Sequence, residues 1–245
     1  MSGKKEGAEG SFHTSAFAAS RAQAAPALAS LRVPAWLLLA GQLLFILFTQ
    51  FHPGGDANNH RVIFAEYADS GLWTAVHLAQ FASMAILLAG LYALFGTLDA
   101  WAGTLTRVGR FGTAAAVTAL ALYGALQAVD GVALKQAVNA WASAPGAERA
   151  ARFASAEAIR WLEWGMRSYQ DFALGLALLL GAASTMRASI PRAVAYLMGL
   201  SGLAYLVQGW LAGTEGFSPT HSLAIVVAWT LSLGWMIWLA VITRR

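Results

Sequence analysis

The sequence predicts an all-α membrane protein, a polytopic bundle of six transmembrane helices with both termini on the cytoplasmic side. Hydrophobic residues make up 58% of the 245-residue chain and charged residues only 11%, a balance that soluble domains of this size do not show. Apolar windows recur at about 35–52, 73–96, 111–134, 161–185, 193–213 and 221–243, each near the length that crosses a hydrocarbon layer. The charges then sort by side. Lys4, Lys5, Arg21, Arg32, Arg107, Arg110, Arg187, Arg192, Arg244 and Arg245 share one face of a six-span plan, while Asp56, Glu66, Asp69, Asp130, Glu148, Glu157, Glu163 and Glu215 collect on the other. The positive-inside rule makes the basic face cytoplasmic. The net charge of +4 is therefore a topology signal and not a nucleic-acid surface; the partners implied are membrane lipids, with a homo-oligomer or a membrane-complex partner left open. The absence of Cys excludes disulfide relays and thiolate metal sites.

Residues 1–33 are rich in Gly, Ala and Ser and read as a disordered cytoplasmic tail, with His13 in solvent. The first window leads into His52, Pro53 and a Gly pair rather than a small-residue cleavage site, so it reads as a retained anchor. Pro53-Gly54-Gly55-Asp56 is a helix stop and turn, and the VIFAEYA segment after it suits a short amphipathic helix on the outer surface. Trp73 opens the second span, with His77 one turn further in; Gln127 and Asp130 close the third. After Ala144-Pro145-Gly146 an Ala-rich stretch, with Glu148 four residues before Arg152, reads as a helix running into the fourth. The interval from Arg107 to Asp130-Gly131 repeats from Arg192 to Glu215-Gly216, a trace of duplication or of two equal helices on the same charge plan. The loops at 97–110 and 186–192 are short and basic, leaving no room for a cytoplasmic catalytic domain. Four of the five His (His52, His60, His77 and His221) lie toward the opposite face.

The stretch from Arg160 to Ala183 is the most informative. It starts charged and Trp-rich and becomes a lipid-compatible run without a break. Glu163, Arg167 and Asp171 recur every four residues, so on a helix they share one face and each can pair with the next. Ionisable groups at membrane depth cost roughly 2.5 to 3.5 kcal/mol each, so they face a bundle interior or a wet cavity. His77, Gln127, Asp130, Glu163, Arg167, Asp171 and Gln208 are expected to line an outward-facing pocket for a small ligand, an ion or a lipid headgroup, or else to satisfy one another as a polar core. His77, His221 and Glu163 are candidate metal ligands from separate spans, and His77 with His221 are the minimum for a b-type haem between helices. No GxSxG, Walker or GxGxxG motif is present, and no reaction is legible.

From Ser189 the chain reads SIPRAVAYLMGLSGLAYLV. This Ile-Pro-Arg opening of the fifth span, followed by Leu-x-Gly-Leu, resembles an uncharacterised family of bacterial six-span integral membrane proteins, filed as a domain of unknown function. That family tends to carry Trp after Pro-Arg, where this chain has Ala193. The resemblance implies the six-span fold and no activity.

Overall fold

A computed structural model describes residues 28–244. The expected tail over 1–33 lies almost wholly outside the described residues. Eight α-helices follow in order: α1 (Arg32–Thr49), α2 (His60–Asp69), α3 (Trp73–Trp101), α4 (Arg107–Gln127), α5 (Lys135–Ala142), α6 (Gly146–Thr185), α7 (Arg192–Glu215) and α8 (Pro219–Ile242). A π-helical segment, Ala128–Leu134, joins α4 to α5 without a break. No strand occurs among the described residues.

Five helical stretches are long and apolar enough to cross a membrane: Leu28–Thr49, Trp73–Trp101, Arg107–Ala142, Arg192–Glu215 and Pro219–Ile242. The stretch expected as the fourth span, 161–185, lies in α6, whose charged turns keep it outside that set. Those charges are turned inward. Arg160, Glu163, Gln170 and Asp171 are buried, while Trp161, Leu162, Tyr169 and Leu176 of the same helix are exposed. Two expected boundaries also move. The window at 35–52 stops being helical at Thr49, and the span at 111–134 continues through the π segment to Ala142.

The six long helices close into a ring, α1 on α3, α3 on α4, α4 on α6, α6 on α7, α7 on α8 and α8 back on α1. Their core is built from Leu87, Leu91, Phe95, Leu178, Met198 and Trp235. The outward surface is apolar as well, with Leu43, Leu47, Leu78, Val117, Leu203, Val226 and Val241 all exposed. So much exposed aliphatic surface suits lipid and not water. Between apolar helices in lipid, close packing replaces the hydrophobic drive. At the α6–α7 contact a Cβ on Gly175 would meet the Gly202 carbonyl at 2.7 Å, and one on Gly202 would meet the Gly175 carbonyl at 2.9 Å, so neither position accepts a side chain.

At one end of the ring a second, smaller core caps the bundle. It joins Ile63, Phe64 and Tyr67 of α2, Trp73, Leu134, Val138 and Trp141, and Ala156 of α6. The short helix expected at VIFAEYA is α2, and the helix expected after Pro145 is the first half of α6, which runs unbroken into the bundle. The loop at 50–59 is tied down beneath this cap. Asn58 donates through Nδ2 to the Glu215 carbonyl at 2.8 Å and accepts from the Phe217 amide at 3.0 Å.

Candidate functional site

The inward face of α6 holds two ion pairs rather than one ladder. Arg160 Nη1 donates to both carboxylate oxygens of Glu163, at 2.8 and 2.6 Å, and Nη2 reaches the Ala57 carbonyl at 3.2 Å. Its guanidinium also stands over the rings of Phe217, at 4.6 Å, and Tyr67, at 5.4 Å. Two helical turns beyond Arg160, Arg167 Nε donates to Asp171 Oδ2 at 3.1 Å, and Gln208 Nε2 donates to the same oxygen at 2.7 Å. The expected chain of pairs from Glu163 through Arg167 to Asp171 is thus corrected: Glu163 is taken by Arg160, three residues before it, and Arg167 pairs only forward.

These pairs border a cavity of about 210 Å³. Loop residues His52, Pro53, Ala57 and Phe217 line one part of it, and Phe45, Tyr123 and Trp229 another. Of the residues expected in a ligand pocket, Gln127, Asp130, Glu163 and Arg167 line it. Asp171 and Gln208 do not; each is fully buried and bonded to the other, as a packing element. His77 does not line it either, and contacts Asp130 instead. His221 does, with neither ring nitrogen hydrogen-bonded.

The metal ligands expected from the sequence were His77, His221 and Glu163, and the structure groups different residues. His52, His77 and Asp130 each offer one ligand atom, and these lie within 4.8 Å of one another. Glu163 is occupied by Arg160, and His221 stands outside the group. Each imidazole of the trio has its Nδ1 engaged by a main-chain carbonyl: His52 with Pro53 at 3.0 Å and His77 with Trp73 at 2.8 Å. Because a carbonyl only accepts, Nδ1 carries the proton and Nε2 is left with its lone pair. The His77 Nε2 lies 3.1 Å from Asp130 Oδ2, an ion pair when the ring is protonated, and Asp130 Oδ1 has no partner. Burial pulls the His52 imidazole below its ordinary pKa, an effect that the Asp130 carboxylate offsets in part; with Nδ1 on the Pro53 carbonyl, its Nε2 presents a lone pair. Burial likewise holds the Tyr67 phenol well above its ordinary value, so it stays protonated under the Arg160 guanidinium.

The π segment positions Asp130. A π turn inserts an extra residue into a helix and is a frequent device at functional sites. Here it sets Asp130 and Gly131 against α3: the Trp73 indole donates to the Asp130 carbonyl at 3.2 Å, and a Cβ on Gly131 would meet the His77 Cβ at 2.9 Å. Only glycine lets the His77 ring lie there. Of the two histidines named for a haem, His221 lines the cavity and His77 is turned onto Asp130.

The residues that sequence reasoning missed are His52, Arg160 and Asn58. His52 looked like the end of a span, although Pro-Gly-Gly after it signalled that the helix stops and the ring is free to turn inward. Arg160 opened the charged, Trp-rich stretch with no partner assigned to it. Asn58 carried no signal. Comparison with family models, curated proteins and solved structures finds no match.

Proposed function

We propose that this chain is a six-span protein of the bacterial inner membrane, with both termini cytoplasmic and its chamber facing outward, that binds a small cationic ligand or ion in a sensing, transport or assembly role. The observation that carries the reading is the state of Asp130. Arg160 takes Glu163 and Arg167 takes Asp171, whereas Asp130 lines the same cavity with no arginine paired to it and one oxygen free of hydrogen bonds. Asp130 has His77 as a charged partner only when that ring is protonated, so a cationic ligand that reaches the free oxygen stabilises a buried carboxylate that neither arginine serves. Gln127 Oε1, also unpartnered, and Gln80 add neutral polar groups of the kind that orient a small solute. The basic loops at 97–110 and 186–192 support the orientation. The inward turn of the α6 charges supports counting that helix as the sixth span.

Native mass spectrometry of the protein released from its own membrane tests this. The wild-type chain is expected to retain a small bound species or ion that Gln127→Phe, which fills the chamber, displaces. A wild-type mass equal to that of the bare chain, or a bound mass unchanged by Gln127→Phe, contradicts the reading.

A further inference from the structure

We propose that His52, His77 and Asp130 form a binding site for a divalent transition-metal ion of the zinc class, with its open coordination position toward the chamber. The inference deepens the preceding reading by naming the cation, and it rests on that reading only for the direction of access. Two imidazoles and one carboxylate, with no thiolate, match the donor preferences of zinc and its first-row neighbours. The second observation is the protonation pattern. Both Nδ1 atoms are held by backbone carbonyls at 3.0 and 2.8 Å, the outer-shell arrangement that fixes a metal-binding histidine with Nε2 presented. With Nδ1 protonated, a neutral His77 turns the Nε2 lone pair on the carboxylate oxygen only 3.1 Å away. Those two atoms are bridged by a proton when the ring is an imidazolium, and by a metal ion when one displaces that proton. His77 is 3% exposed, held between the Trp73 carbonyl and Asp130.

The fit to an ion is close. Bonds of about 2.0–2.2 Å require ligand atoms roughly 3 to 3.5 Å apart. The His77 and Asp130 atoms already meet that spacing at 3.1 Å, and the whole group spans no more than 4.8 Å. His52 has to close the remaining gap, and it is the ligand placed in a loop rather than a helix. Gly131 and Trp73 fix the other two from behind. His52 and Asp130 line the chamber, so the fourth position is reached from there.

The test uses the full chain, purified in detergent with a tag that contains no histidine, and titrated with Co²⁺ and Zn²⁺. The expected result is a single Co²⁺ per chain with visible d–d absorption, displaced by Zn²⁺. In His52→Ala and Asp130→Asn the affinity should fall by more than the roughly 10–100-fold that loss of an outer-shell partner costs. His60→Ala, which alters a histidine bonded to Glu157 and apart from this group, should bind as wild type. If Asp130→Asn does not fold, His52→Ala decides alone, since its residue belongs to no helix. No stoichiometric binding by wild type, or wild-type affinity in His52→Ala, overturns the proposal. A bound organic cation in the native mass spectrum with no Co²⁺ binding would sink the metal site and leave the chamber reading standing; Co²⁺ binding that Gln127→Phe leaves unchanged, in a wild type that retains no native species, would keep the metal site and sink the chamber reading.

Discussion

Arg160 is buried in a bundle end where its charge is matched by Glu163, its Nη2 by the Ala57 carbonyl and its faces by two aromatic rings, with Nε left unpartnered. Removing it leaves a buried carboxylate with no counter-charge. Arg160→Leu is therefore expected to cost about 3–5 kcal/mol, and Arg160→Leu combined with Glu163→Leu to recover much of that, because an apolar pair of similar volume avoids the desolvation altogether. Unfolding in bicelles by steric trapping measures both. Gln208→Leu removes the shorter of the two hydrogen bonds to Asp171 Oδ2 and should cost about 1.5–3 kcal/mol, with little effect on ligand retention, since Gln208 does not line the chamber. The spacing of Glu163, Arg167 and Asp171 correctly marked an inward ionisable face. It did not tell which neighbour each would choose, because an arginine three residues before Glu163 competes on equal helical terms and the contacts that favour Arg160 come from Ala57 and Phe217, far away in sequence.

The helix that most shapes the site is the one interrupted at Ala128–Leu134. An uninterrupted α-helix would carry Asp130 and Gly131 at a different angle to α3, and the close contact of Gly131 with His77 depends on the π turn. Gly131→Ala places a methyl 2.9 Å from the His77 Cβ. Overpacking of this kind costs about 1–3 kcal/mol, and the displaced His77 ring should weaken Co²⁺ binding in the same titration. Equal Co²⁺ affinity in Gly131→Ala would show that the ring is not held from that side. Nothing in the apolar pattern of 111–134 announced a π turn, since hydrophobic periodicity over so short a stretch does not separate π from α. The helices themselves were legible. Trp73, Pro191 and Pro219 mark the starts of α3, α7 and α8, and the Pro145-Gly146 pair marks the start of α6.

Over the whole molecule, six apolar windows became a closed ring because each helix buries its polar residues and one set of large apolar ones against its neighbours and leaves a second aliphatic set outward. The cap over one end was half visible, in VIFAEYA and in the Ala-rich run after Pro145. Its tie to the bundle through Asn58 was not, since a single Asn in a Gly-rich loop signals a turn and no distant partner. The native chain has no Cys, so single cysteines report sidedness cleanly. Ser189→Cys, in the basic loop before α7, should react with a membrane-impermeant maleimide only after the cytoplasmic face is opened, and Ser143→Cys, at the end of α5, should react in intact cells. Reversal of that pattern would invert the proposed orientation.

The central claim is that the charged face of α6 borders a chamber open to water from the outer side, while the ring around it faces lipid. Ile225 lines that chamber, and Leu223, two residues earlier on α8, is 64% exposed on the outward surface of the ring. The decisive measurement is the rate at which a charged, membrane-impermeant thiol reagent modifies each position in bilayer-embedded protein approached from the outer side. Rapid modification of Ile225→Cys with protection of Leu223→Cys is the predicted result; protection of Ile225→Cys with modification of Leu223→Cys would contradict it.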